Sequence, residues 1–226
     1  MSFNIVCQAC GAPSSPSTGV CPFCKTVFSE SDGAEPTAST GLIKLYLAGK
    51  LEQALPLGLK MLKDKPELKE DLTFLLTLTK VLLESEGPSS QIRNLLAEAQ
   101  IHFPQNPEVL EYIEVIEAKS YLKRGINDTG ETMLKNLIRR APRNLHAHFL
   151  LGTHLFWSEN DSHSAIPMLE TCVRLHPNFL RAWGCLAAIY QKLGNASLAQ
   201  AAFAKCAELE SNSRMRDFFL QQAKAS

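Results

Sequence analysis

The sequence offers little to a polyanion. Its 226 residues carry 23 lysines and arginines against 23 aspartates and glutamates, a formal net charge of zero. The balance is even along the chain: residues 1–40 hold one lysine against three acids, and residues 41–226 hold 22 basic groups against 20 acidic ones. Nucleic acid is therefore not an expected partner. Long apolar runs are also missing. The most apolar later stretch, 72–83, contains Thr73, Thr77, Thr79 and Lys80 and is too short to span a bilayer, so membrane insertion is not expected. No basic region followed by an apolar run opens the chain, and no secretory signal is expected. No H-E-x-x-H, G-x-S-x-G or phosphate-cradling glycine loop occurs, so the expectation is a protein without enzymatic activity or a small-molecule substrate. An even set of disulfide-forming cysteines is lacking as well. There are seven, four of them in two CxxC pairs, which suits a reducing compartment and makes the cytoplasm the expected location.

Those two pairs organise residues 1–28. Cys7 and Cys10 form the first, Cys21 and Cys24 the second, with ten residues between them. Each pair can turn two thiolates toward one point, and Gly11 allows a tight knuckle because it takes positive φ at no steric cost. Four thiolates and no spare ligand describe a closed tetrahedral site, which favours one structural zinc ion. The segment has few apolar residues, so metal binding would have to supply most of its folding energy. A rubredoxin-like iron site is the alternative, although the loop between the pairs is short for it. The pattern C-x2-C-G…C-P-x-C at Cys7, Cys10, Gly11, Cys21, Pro22 and Cys24 resembles the zinc ribbons that open many bacterial proteins. It departs from them at Lys25, where a second knuckle glycine is common. Residues 29–40 are small, polar and acidic without periodicity, and read as a flexible linker.

From residue 41 a repeat sets in. A small or apolar residue stands twelve positions before a proline four times: Ala54 and Pro66, Ile92 and Pro104, Gly130 and Pro142, Ala165 and Pro177. Ala199 and Ser211 continue the series without the proline. Turn residues fall at matching places, at Gly49, Gly87, Gly125, Asn160 and Gly194. About five helix pairs are expected over 41–212, the second of them opening with an extended helix over 67–85. Residues 213–226 are expected to form a capping helix with Met215, Phe218 and Phe219 turned inward. In the last unit Trp183, Leu186, Ala187 and Tyr190 recur on one helical face, Gly194-Asn195 breaks the helix, and Ala199 and Phe203 answer on the next. This W-x2-L-A-x2-Y…A-x3-F pattern resembles a tetratricopeptide (TPR) repeat, with Ala187 in place of the usual glycine. The expected fold is all-α, a TPR-like helical-repeat solenoid preceded by a small four-cysteine zinc ribbon on a flexible linker. Trp183 is expected between the paired helices.

The resemblance implies function by binding. In TPR domains the first helices line a concave groove that commonly holds an extended peptide or helix of another protein. Carried over by register, the groove residues are Tyr112, Val115, Lys119 and Leu122, then His146, Phe149, Thr153 and Phe156, then Arg181, Gly184, Ala188 and Gln191. The expectation is a protein–protein interaction adaptor whose ribbon is an accessory module. The alternative is a nucleic-acid-associated regulator, disfavoured because residues 1–28 carry Lys25 alone. Phe149 and Phe156 are placed either on that open surface or against a neighbouring helix. Cys172, Cys185 and Cys206 read as small hydrophobes rather than nucleophiles. Glu108, Glu111, Glu114 and Glu117, with Lys135, Arg139, Arg140 and Arg143, read as pairing within the repeat rather than as a docking patch.

Overall fold

The twelve-residue interval before each proline measures one helix from its first turn. The computed structural model describes residues 5–6, 13–14 and 39–225. The second helices are α2 (Leu51–Asp64), α4 (Ser89–His102), α6 (Asn127–Arg140), α8 (Ser162–Leu175) and α10 (Ala196–Leu209), each of 14 residues. The register residue is the fourth of each, and Ala54, Ile92, Gly130, Ala165 and Ala199 are all buried. The prolines lie two residues past the ends, where the missing N–H and the fixed φ stop the next turn. The first helices are α1 (Thr40–Leu47), α3 (Leu72–Glu84), α5 (Pro107–Lys123), α7 (Leu145–Trp157) and α9 (Leu180–Lys192), and α11 (Ser213–Ala225) closes the chain.

The chain divides into two compact units, Met1–Ser85 and Glu86–Ser226. In the first, strands β1 (Ile5–Val6) and β2 (Pro13–Ser14) pair antiparallel, Ile5 opposite Ser14 and Val6 opposite Pro13. The zinc ligands expected at Cys7, Cys10, Cys21 and Cys24 lie outside the described residues, as does the linker up to residue 38. Helices α1, α2 and α3 bury Leu42, Ala54 and Leu78. The extended helix expected over 67–85 does not form. A 3-10 turn, Pro66–Glu70, precedes α3 instead. Asp71 then starts the helix afresh, its Oδ1 accepting from the Phe74 amide at 3.0 Å, because an N-cap carboxylate satisfies a donor that a continuous helix would not leave open. The buried Tyr46 hydroxyl donates to Glu84 Oε1 at 2.7 Å.

The second unit stacks α4 to α11 in sequence order. Asn106, Asn144, Asp161 and Asn195 cap α5, α7, α8 and α10 by accepting backbone amides. Helices α7 and α8 meet closely at Gly152, where an added Cβ would stand 3.0 Å from Leu169 Cγ and 3.1 Å from Met168 Cβ. The core there runs from Leu145 and Leu169 through Phe179 and Leu186 to Phe203. Cys172 and Cys206 are buried in the second helices, as their register suggested. The charged residues of the third pair join within and next to the repeat: Arg140 with Glu114, Lys135 with Glu131, and Asn144 Nδ2 with Glu111 Oε2 at 3.0 Å.

Two further expectations are corrected. On α11, Phe219 and Ala223 face the core, whereas Met215 and Phe218 are exposed. The helix is rotated so that Phe219 meets Phe203, ring centroids 6.5 Å apart. Trp183 is half-exposed rather than enclosed between the paired helices, packing at the core's edge with its Nε1 donating to the Pro177 carbonyl at 2.8 Å. Among the described residues no helix is long and apolar enough to cross a membrane.

Candidate functional site

Along α7, residues spaced by four share one face, and Phe149, Thr153 and Trp157 form such a row. On α9, Arg181, Gly184 and Cys185 repeat the three- and four-residue spacing. Together with Glu86 these six residues line a cleft of about 400 Å³ within the second unit. Four of them, Phe149, Thr153, Arg181 and Gly184, were expected in a groove from register. Gly184 faces open space, and an added Cβ there would meet nothing within 4 Å.

Glu86 was not foreseen. Of the expected turn residues, Gly49, Gly125, Asn160 and Gly194 all have positive φ. At the second turn the left-handed residue is Glu86, φ 55°, rather than Gly87. That conformation costs a non-glycine residue about 1–2 kcal/mol. The Glu86 carboxylate accepts a hydrogen bond from Arg181, an exposed pair worth about 0–1 kcal/mol. The pair does not offset the backbone cost, so stability alone does not account for an acid at this turn.

Arg181 also lies over the Phe149 ring, its Cζ 4.9 Å from the centroid, a cation–π contact. Lys119, on α5, is half-buried. Burial first, then the charges of Lys123 and Arg181, hold its ammonium below the usual lysine range, with Glu86 opposing them. Three cations, Lys119, Lys123 and Arg181, thus stand near one acid, and of the three Arg181 lines the cleft. Burial pushes the Cys185 thiol up to about 11, which makes it a neutral wall of the cleft and not a nucleophile.

The other register residues are placed differently. Tyr112 and His146 are buried, the Tyr112 hydroxyl 3.2 Å from His146 Nδ1. Phe149 is 8% and Phe156 6% exposed, so the burial alternative describes both. Phe149 is nearly enclosed, packed against Phe179 with ring centroids 4.7 Å apart. Phe156 lies beneath Lys192, 5.3 Å from its centroid, and beside Trp157. Val115 is buried, Leu122 and Ala188 are half-buried, and Gln191 is exposed, its Nε2 donating to Gln222 Oε1 at 3.4 Å. Among the residues lining the cleft, the exposed aromatic is Trp157 at 68%. Its place at the end of the Phe149 row was legible, and its exposure was not.

Residues 180–213 match the tetratricopeptide repeat family. Among curated proteins none matches the sequence. Among solved structures, a thermophilic TPR protein of Thermus thermophilus superposes with a TM-score of 0.50 at 20% identity, covering 82% of this chain and 96% of that one. A tetratricopeptide repeat protein of Parabacteroides merdae superposes with a TM-score of 0.51 at 15% identity, covering 82% and 69%. The helical part of this chain thus has the tetratricopeptide-type repeat fold, and its residues 180–213 are such a repeat in sequence as well.

Proposed function

We propose that this chain is a non-enzymatic, cytoplasmic protein–protein adaptor that takes a short segment of a partner protein into the cleft between Trp157 and Arg181. The observation that carries the reading is the exposed Trp157 ring in a cleft whose lining includes the Arg181 cation. A large ring left in water at the mouth of a cleft gains most from being covered, and tryptophan and arginine are the usual anchors of binding energy. TPR-like proteins generally mediate protein–protein interactions, and that analogy points the same way. The cleft selects an apolar side chain against Trp157 and Phe149, next to an acidic group for Arg181. The weak Glu86–Arg181 pair gives way to the partner's carboxylate at small cost. Residues 1–28 hold one structural zinc through Cys7, Cys10, Cys21 and Cys24. The spacing of the four thiolates supports this, as does the β1–β2 pairing that brackets the first CxxC in sequence.

The test is selection of short displayed peptides on the full chain, followed by calorimetry of the selected sequences. An acidic-plus-apolar consensus is expected. Trp157→Ala and Arg181→Ala should each weaken binding by roughly 30-fold, the equivalent of about 2 kcal/mol. Arg139→Glu with Arg140→Glu, exposed on α6, should leave it unchanged. Loss in the α6 variant with full binding in both cleft variants would move the site away from the cleft.

A further inference from the structure

His154 sits in the last turn of α7. Just beyond it Asn160 takes φ 57°, a conformation asparagine tolerates better than most residues. The Asp161 amide then returns to the Leu155 carbonyl at 2.8 Å. This reversal folds Glu159 back over the helix end, while Glu131 reaches the same place from α6. His154 Nε2 is 3.4 Å from Glu131 Oε1 and 3.5 Å from Glu159 Oε1. The imidazole is 7% exposed, yet Nε2 has no hydrogen-bond partner. It lies near both carboxylates and is aligned with neither. A buried ring nitrogen left this way is costly.

Both acids are held from outside the cluster. Lys135 pairs with Glu131 through Oε2, leaving Oε1 toward the histidine. Asn127 Nδ2 donates to Glu159 Oε1 at 3.1 Å. Metal-ligating carboxylates are commonly fixed by such outer partners. Zinc–ligand bonds of about 2.0–2.2 Å place the donors of a tetrahedral shell about 3.3–3.6 Å apart, and both nitrogen-to-oxygen separations fall in that interval. The three donor atoms all lie within 4.8 Å of one another. Glu159 is exposed, which leaves the fourth position to water. One imidazole with two carboxylates suits a first-row divalent ion, whereas calcium takes six to eight oxygens and copper(I) prefers sulfur.

The geometry points to a metal site at His154 Nε2, Glu131 Oε1 and Glu159 Oε1, holding one zinc-class divalent ion with water as the fourth ligand. The ion ties α6 to the end of α7, and so joins one helix pair to the next. It is independent of the four-cysteine set and of peptide binding.

Zinc titration of the full chain, carrying Cys7→Ser, Cys10→Ser, Cys21→Ser and Cys24→Ser so that the cysteine set is removed, reads this site. One equivalent is expected, and cobalt(II) in its place should give visible d–d bands without a thiolate charge-transfer band. Glu159→Gln, an exposed and nearly isosteric change, should weaken zinc by at least tenfold. Asn127→Ala, which leaves all three donors in place, should weaken it by roughly 10-fold through the outer shell. Circular dichroism checks that both variants keep their helices. Absence of zinc uptake, or uptake that Glu159→Gln leaves unchanged, overturns the assignment.

Discussion

Phe179→Ala is the perturbation that tests whether a buried aromatic row supports the cleft. Phe179 is 1% exposed, and its ring lies 4.7 Å from Phe149 and 6.2 Å from both His146 and His176. Lost transfer energy and the cavity together cost about 3–5 kcal/mol for a buried phenylalanine. Aromatic pairs contribute about 0.5–1.5 kcal/mol beyond buried area. Tyr112 and His146 are joined by their own contact, so the neighbours cannot readily collapse into the void. A loss of about 4 kcal/mol follows. Urea unfolding followed by tryptophan fluorescence is the assay, because Trp157 and Trp183 both lie in the Glu86–Ser226 unit. With m of about 2 kcal/mol/M, the midpoint should fall by about 2 M at unchanged m. Trp183→Ala, at the half-exposed edge of the core, is the comparison and should cost about 1–2 kcal/mol. A Phe179→Ala loss smaller than that of Trp183→Ala would refute the placement of Phe179 at the centre of the core.

Two pH responses follow from buried groups. Burial pushes the Cys185 thiol up to about 11 and the Cys206 thiol up to about 12. Unfolded thiols titrate near ~8.5, so the folded chain keeps these protons longer, and stability is full below ~8.5 and declines as pH rises toward the folded values. Urea midpoints should drop between about pH 8 and pH 10, less so in a Cys185→Ala/Cys206→Ala variant; equal drops in both chains would contradict this. The His148 imidazole is held below its usual range, first by burial and then by Arg174, against the Pro142 carbonyl it touches. Below ~6.5 the unfolded chain takes up this proton more readily, so stability falls on acidification from there to the folded value and then levels. His148→Gln should flatten that part of the profile, and an unaltered profile would assign it to other groups.

The architecture was legible where one local rule recurs. Ala54, Ile92, Gly130, Ala165 and Ala199 mark the fourth residue of equal helices, and the prolines mark their ends. Register gives the face of a helix but not the depth of its burial. Hence Tyr112 and His146, expected in a groove from register, are enclosed. Phe179 belongs to no stripe, because it precedes α9 as its N-cap, and periodicity is blind to residues just outside a helix. The groups around His154 come from a helix, the turn after it and the helix before, at separations of 5 and 23 residues that form no motif. The break at Pro66–Glu70 was missed because the apolar pattern of α3 runs up to it without a glycine.

The Glu86–Arg181 pair joins positions 95 residues apart, in a unit whose main packing partners follow one another along the chain, α4 with α5 through α10 with α11. An array of neighbour contacts forms quickly and from any starting point, since no distant segment has to be awaited. A pair of this separation closes after the intervening helices are in place. It therefore acts on how fast the unit opens rather than on how fast it forms. A partner that draws Arg181 away would remove that pair's small share of the unit's kinetic stability, about 0–1 kcal/mol, while its own binding to the folded unit adds to it.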